Sequence, residues 1–140
     1  EVELADKKER VIDAISASKS AIEEGIVAGG QIAFLSVSQM DFWLDTPGAK
    51  ILREAIKTPF KILMKNAGFD YAESMAKILP IKYPVAIDVM DGKVKDMLKS
   101  GIIDSFKVVK SALENAVSVA GMAFTTRTLI SESYTGNNNS

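Results

Sequence analysis

The chain has 140 residues, of which 47% are apolar and 25% charged, and its formal net charge is -1. These values fit one globular domain with a buried core, and they give no electrostatic reason to expect nucleic acid or an anionic membrane as a partner. Cysteine and histidine are both absent, which excludes disulfides, thiolate or imidazole metal sites and His-dependent triads. No apolar run approaches the roughly 18 residues of a membrane span, so we expect a soluble protein of the cytoplasm or an organellar matrix.

The N-terminal third predicts two helices separated by glycines. Apolar residues recur at steps of three and four from about Leu4 to Glu24, which predicts an amphipathic helix, and Gly25 suits its C-cap. A second, short helix is expected to begin at Gly29 or Gly30 and to run to about Ser38. A glycine cluster at this position serves a turn, a tight packing contact or a bound phosphate.

The middle of the chain predicts one long helix and one short helix. Thr46-Pro47 is a favourable pair for the N-cap and the first helical position, and it predicts a helix from Pro47 to about Gly68. Pro59 is expected to kink that helix near Lys57, because proline has no amide hydrogen to donate to the preceding turn. A short helix should follow over Tyr71 to Ile78.

The C-terminal part adds a little β structure. Residues 81–94 are rich in β-branched side chains and contain an Asp-Gly pair, which predicts a hairpin turning at Asp91-Gly92. We expect the last helix over Ser105 to Phe124, a terminal edge strand over Thr125 to Ser131, and a disordered polar tail over residues 132–140. The fold class is therefore mainly α. The apolar residues expected in the core are Ile51, Leu52, Ala55, Ile56, Phe60, Leu63 and Ala67 in the third helix, and Val108, Val109, Ala112, Leu113, Ala116, Val119 and Ala120 in the last.

Asp13 and the Gly29-Gly30 pair are the first candidates for chemistry. Asp13 lies beside the apolar stripe of the first helix and is suited to position a water or a divalent cation, although an ordinary boundary aspartate paired with Arg10 or a lysine is the favoured interpretation. The amides of Gly29-Gly30 offer a phosphate or ribose contact without side chains in the way, although close helix packing is favoured there. Neither common glycine-rich nucleotide motif is present.

Two aspartates near the C-terminus are further candidates. Asp88, at the edge of the hairpin, is suited to accept a hydrogen bond from a purine amino group or a ribose hydroxyl. Asp104 precedes the last helix and is expected to cap it, a role that can coexist with ligand binding. Paired carboxylates, metal-ligand clusters and basic-aromatic stripes do not stand out. Taken alone, the residues predict a helical domain with a candidate anion site.

Two long segments resemble the C-terminal quarter of group I, GroEL-like chaperonins. They are "EVELADKKERVIDAISASKSAIEEGIVAGGQIAF" and "DMLKSGIIDSFKVVKSALENAVSVAGMAFTT", and the middle matches more weakly through "REAIKTPFKILMKNAG". The resemblance implies a GroEL-like equatorial-domain helical bundle. Residues 1–24 would be a helix of the intermediate domain, residues 25–131 the C-terminal part of the equatorial, ATP-binding domain, and residues 132–140 the tail.

The resemblance also implies roles for individual residues. Asp13 falls on the catalytic aspartate that acts on the water attacking the γ-phosphate of ATP, a reaction that depends on positioning and charge stabilisation. The implied nucleotide contacts are Gly29, Gly30, Asp88, Val89, Met90 and Asp104. The implied cofactors are ATP and Mg²⁺, with the Mg²⁺ ligands mainly in the N-terminal part of a complete subunit, and we assign no metal ligand to this chain.

The implied function is that of a segment of an ATP-dependent ring chaperonin that assists the folding of non-native proteins. Its partners would be other chaperonin subunits, client proteins and a cochaperonin, with no nucleic acid or membrane. Five positions depart from the family pattern: Ser20, Val89 and Met90 replace alanines, Gln31 replaces a glycine, and Ser105 replaces a proline. The alternative is a stand-alone, chaperonin-derived helical interaction module without ATPase activity. We do not expect the chain alone to hydrolyse ATP at a useful rate.

Overall fold

The computed structural model describes residues 1–128, and these form six helices and four short strands. The helices are α1 (Val2–Glu24), α2 (Ile32–Ser38), α3 (Pro47–Ala55), α4 (Thr58–Asn66), α5 (Tyr71–Ile78) and α6 (Phe106–Thr125). The strands are β1 (Ile26–Ala28), β2 (Val85–Ile87), β3 (Val94–Asp96) and β4 (Ile103–Ser105). The predicted mainly helical class is confirmed. None of the helices in residues 1–128 is long and apolar enough to cross a membrane.

The strands form two separate antiparallel pairs. β2 and β3 make the hairpin that the Asp-Gly pair predicted, with Ile87 opposite Val94. β1 pairs with β4, so that Val27 lies opposite Asp104 although the two are far apart in sequence. We did not predict this second pair, because three-residue strands are too short to show an alternating pattern.

The glycine-containing turn ends later than expected. Gly30 has φ 69° and Gln31 has φ 62°, both in the left-handed region, and α2 begins only at Ile32. A right-handed helix needs negative φ values in its first turn. The prediction that α2 begins at Gly29 or Gly30 is therefore wrong: these residues turn the chain between β1 and α2.

The predicted long, kinked helix is two helices. α3 ends at Ala55 and α4 begins at Thr58, so the chain breaks at the expected place but more completely than a kink. Pro59 lies in the first turn of α4, where its missing amide hydrogen removes no helical hydrogen bond. At the other end of α3, the Thr46 hydroxyl accepts the Ala49 amide at 3.3 Å, which is the predicted N-cap.

The core lies among α2, α4, α5, the hairpin and the segment that follows it. Its buried members are Ala28, Ile32, Leu35, Phe60, Met64, Ile78, Ala86, Ile87 and Met97. Because side chains from both strand pairs enter this cluster, apolar burial holds β1 and the hairpin against the same helices. The two strand pairs that carry the candidate site residues are therefore packed on one hydrophobic core.

The predicted burial of α6 is wrong for the part of the chain that the structure describes. α6 packs against α1 and β4 but buries none of its residues, and Val119 is 60% exposed. Ile51 of α3, also expected in the core, is 68% exposed. Within residues 1–128 no second layer covers these apolar faces. The predicted strand over Thr125 to Ser131 is not present in its first part, since Thr125 ends α6 and residues 126–128 are in no strand; its remainder and the tail lie outside the described residues.

Candidate functional site

The candidate site begins at the turn that follows β1. The Gly29 amide donates to the Ile102 carbonyl at 2.9 Å. A Cβ atom added to Gly29 would lie 3.2 Å from the carbonyl carbon and oxygen of Ile102, which is closer than ordinary packing allows. At Gly30 the same atom would meet only the Met97 sulfur at 3.9 Å. Glycine is thus favoured at position 29 by the close approach of two backbones, and at position 30 by the positive φ and not by crowding.

Asp104 stands on β4, opposite Val27 and hence two positions from Gly29 along the partner strand. Its side chain is half-buried, and burial raises the pKa of its carboxyl group above the usual range. The prediction that Asp104 caps the last helix is wrong: Ser105 occupies the N-cap position. Asp104 lies one residue too early for a cap, because the helix begins only at Phe106. The strand pair therefore brings Asp104 and the glycine turn together.

Ser105 adds a feature that sequence reasoning missed. Its hydroxyl oxygen is buried and has no hydrogen-bond partner within residues 1–128, and it does not cap α6. The next amide, that of Phe106, donates to the Gly25 carbonyl at 3.1 Å. The junction of β4 and α6 is thus bound to the end of α1. Serine stands here where the resemblance predicts proline, and that was the available signal for its place at the helix start, because serine is a favoured N-cap residue.

Asp88 is held within its own hairpin. One carboxylate oxygen accepts the Met90 amide at 2.9 Å, and the other lies 2.7 Å from the Lys95 ammonium nitrogen. Lys95 also pairs with Asp91 at 2.9 Å. Its hydrogen bond to Asp88, followed by the Met90 amide, lowers the pKa of Asp88, and Lys95 likewise lowers the pKa of Asp91. The carboxylate predicted to bind a purine is therefore ionised and already bonded.

The other predicted base contacts differ in exposure. Val89 packs against the core, whereas Met90 is 89% exposed. Sequence reasoning missed Lys95 altogether. The signal was available, because a turn at Asp91-Gly92 folds the chain back and carries Lys95 towards Asp88.

Direct hydrogen bonds join the hairpin to the glycine turn. The Ala28 amide donates to the Tyr83 hydroxyl at 3.0 Å, just before the hairpin begins. The Met97 amide donates to the Pro84 carbonyl at 3.1 Å, and the Met97 carbonyl accepts the Ile102 amide at 2.9 Å. Since the Ile102 carbonyl also accepts the Gly29 amide, a series of main-chain hydrogen bonds links the β2–β3 hairpin to the glycine turn. The site is a continuous unit and not a set of separate loops.

Asp13 lies apart from this unit within residues 1–128. It is exposed in the middle of α1, eleven residues before Glu24, which corresponds to about 16 Å along a helix. The end of α1 is fastened to α6 by ion pairs of Glu23 with Lys107 and of Glu24 with Lys110. No ion pair of the described residues joins Asp13 to Arg10 or another cation, so the pairing considered for it is not observed.

Comparisons with known proteins identify the family and the fold. A model of the TCP-1/cpn60 chaperonin family matches residues 1–133. A protein named Chaperonin CPN60-like 1, mitochondrial, from Arabidopsis thaliana is 40% identical over 139 residues, with 94% of this chain and 24% of that protein covered. Chaperonin CPN60, mitochondrial, from Brassica napus gives the same values. The crystal structure of a group III chaperonin in the open state matches with a TM-score of 0.71 and 28% identity, covering 79% of this chain and 25% of that one.

The chain belongs to the TCP-1/cpn60 chaperonin family. The family match extends over both long segments on which the resemblance rested and over the weaker middle. The chain spans about a quarter of the length of the curated relatives it matches.

Proposed function

We propose that this chain is the C-terminal segment of an ATP-dependent ring chaperonin subunit that assists the folding of non-native proteins. Residues 1–24 would belong to the intermediate domain and residues 25–131 to the equatorial, ATP-binding domain. The observation that carries the proposal is the β1–β4 pair, in which Val27 lies opposite Asp104. This pair puts the carboxylate implied to bind ribose beside the glycine turn implied to contact ATP.

The residues of the strand pair fit a nucleotide. Open space at Gly30, where an added Cβ would meet only one sulfur atom, lets a ligand approach the main chain closely. Asp104 is half-buried, and hydroxyl donors from a ribose would compensate the loss of hydration that burial causes. In the proposed complex Gly29 and Gly30 contact ATP through their backbone, and Asp104 accepts hydrogen bonds from the ribose.

Two further parts of the chain would act on the adenine base and on the γ-phosphate of ATP. The segment Asp88, Val89 and Met90 would lie against the adenine. Asp13 would act on the water that attacks the γ-phosphate once α1 is carried toward the site, which requires motion because Asp13 is remote from the turn here. Mg²⁺, when bound, neutralises phosphate charge. Residues 1–128 contain no group of three or more candidate ligand side chains, so its ligands would come mainly from elsewhere in a complete subunit.

The partners follow from the proposed assembly. They are other chaperonin subunits in a ring, non-native client proteins and a cochaperonin. The two plant relatives are named as mitochondrial proteins, which supports an organellar matrix as the location, with the cytoplasm as the alternative.

The test replaces Asp13 in a complete subunit that contains this chain. Asp13→Asn should lower ATP turnover by about 100-fold or more, which is the range for loss of a group acting on the attacking water, while ATP binding persists. Asp6→Asn, on the same exposed helix, is the matched control and should leave turnover unchanged. Full turnover in Asp13→Asn would overturn the catalytic assignment.

A second candidate is a stand-alone helical interaction module that is no longer an ATPase. The ion pair between Asp88 and Lys95 favours it, because the carboxylate implied at the base is already occupied. Calorimetric titration of a complete subunit that contains this chain with ATP separates the two functions. Binding that Asp104→Ala weakens supports a nucleotide site, whereas no binding at millimolar ATP favours the module.

A further inference from the structure

We propose that Lys95 is a specificity-determining residue of the nucleotide site, because it occupies the Asp88 carboxylate and thereby prevents it from reading the purine base. This inference rests on the proposed function. It differs from the role that the resemblance implies, in which residues 88–90 contact adenine directly.

The contacts around Asp88 leave its carboxylate little capacity for a ligand. One oxygen accepts the Met90 amide and the other accepts Lys95, at 2.9 and 2.7 Å. The main chain of Asp88 is also paired, since its amide donates to the Lys93 carbonyl and its carbonyl accepts the Gly92 amide. The side chain of Asp88 is only 13% exposed. A base at this hairpin therefore meets a carboxylate that is mostly buried and already accepts a hydrogen bond on each oxygen.

Lys95 is held in place from two sides. Its ammonium group bridges Asp88 and Asp91, at 2.7 and 2.9 Å. Two acceptors on one ammonium fix a side chain that is otherwise flexible. Lys95 therefore supplies the donor that a purine amino group would otherwise supply, and a ligand must compete with a charge-assisted bond to reach Asp88.

Base selectivity follows from this competition. Adenine carries an amino group at position 6, which donates to a carboxylate, whereas hypoxanthine carries a carbonyl there, which a carboxylate repels. With Lys95 in place, Asp88 exerts neither effect, and ATP and ITP should bind with dissociation constants within about threefold of each other. Without Lys95 the free carboxylate should favour ATP over ITP by about tenfold, the lower end of what a hydrogen bond to a charged group contributes.

The experiment titrates ATP and ITP into a complete subunit that contains this chain, and into its variants, and measures both dissociation constants by calorimetry. Lys95→Met removes the bridge. Lys93→Met is the matched control, because it removes the same charge from the same hairpin while the Lys93 side chain makes no ion pair within residues 1–128. Both variants should bind triphosphates more weakly, but only Lys95→Met should raise the preference for ATP. Lys95→Arg keeps the charge and should keep the wild-type ratio.

The outcomes distinguish this inference from the proposed function. If the wild-type subunit binds both nucleotides and Lys95→Met leaves their ratio unchanged, the role of Lys95 is overturned and the nucleotide site stands. If the complete wild-type subunit binds neither nucleotide, the proposed function fails and this inference fails with it. Should Lys95→Met not fold, Asp88→Ala replaces it: because an engaged Asp88 does not distinguish the two bases, the wild-type ratio should persist in that variant. A lower preference for ATP in Asp88→Ala would show that Asp88 contacts the base with Lys95 present, and it also overturns the inference.

Discussion

The Gly29 amide donates to the Ile102 carbonyl at 2.9 Å, and this bond extends the β1–β4 pair to the glycine turn. Gly29 follows β1, and Ile102 precedes β4, which carries Asp104. A Cβ atom at position 29 would lie 3.2 Å from the Ile102 backbone, so any larger residue would push the two segments apart. The relative placement of the turn and the carboxylate therefore depends on the strand pair together with this contact.

Gly29→Ala should destabilise the fold. Its Cβ would lie 3.2 Å from backbone atoms of Ile102, which cannot move as a side chain can. We expect a loss of about 1–3 kcal/mol in the free energy of unfolding, the range for overpacking, measured by urea denaturation. Gly48→Ala is the control, since nothing lies within 4 Å of its added Cβ and alanine favours a helix. Equal stability of the two variants would show that the contact is looser than described.

Asp104→Asn should stabilise the protein at neutral pH. Burial raises the pKa of Asp104 in the folded state, so folding is penalised where the carboxylate is charged, that is, above the folded pKa. Below the usual value of about 4 the group is protonated in both states, and the penalty disappears. The urea midpoint of the variant should therefore exceed that of the wild type at pH 7 but not at pH 3. A lower midpoint at pH 7 would mean that the charged form makes a favourable contact.

Lys95→Met should remove part of the acid sensitivity of the hairpin. Lys95 lowers the pKa of both Asp88 and Asp91 in the folded state, and such groups add stability above their unfolded pKa, about 4, that is lost as the pH falls through the folded pKa. The stability difference between wild type and variant should be largest at neutral pH and shrink below pH 4. Urea midpoints across this range measure it. The stability difference between wild type and Lys93→Met should be smaller and nearly independent of pH. If both variants give the same pH profile, Lys95 does not bridge Asp88 and Asp91 in solution.

Phe60→Ala should be among the most damaging core substitutions. Phe60 is fully buried at the centre of the cluster and packs edge-on against Tyr71, so we expect a loss of about 3–5 kcal/mol in thermal or urea unfolding. Phe124→Ala is the matched control, because Phe124 is 88% exposed and its loss should change stability by less than about 0.5 kcal/mol. A comparable loss at Phe124 would indicate that the end of α6 is covered in solution.

Local patterns in the sequence predicted most of the helices. The repeat of apolar residues predicted α1, the Thr46-Pro47 pair the start of α3, and the Asp91-Gly92 pair the hairpin turn. Each signal is local, because capping, the restricted φ of proline and the turn preference of glycine act within a few residues. The family resemblance rested on longer segments, and the family comparison confirmed it.

Tertiary contacts decided the features of the site. The β1–β4 pair depends on residues almost 80 positions apart, and three-residue strands carry no pattern of their own. That pairing brought Asp104 to the glycine turn, and the contact of Gly29 with Ile102 explained the glycine by packing. The ion pair between Asp88 and Lys95 likewise depends on the folded hairpin, which brings the two side chains together.

The sequence by itself determined the helical class, the turn at Asp91-Gly92 and the family, since these depend on local preferences and on similarity along the chain. Only the tertiary structure decided which predicted site residues meet: Asp104 and the glycine turn do, and Asp13 does not within the described residues. It also showed that α6 buries no residue there. The physical reason is that amphipathic periodicity reveals which face of a helix is apolar, whereas burial depends on what packs against that face.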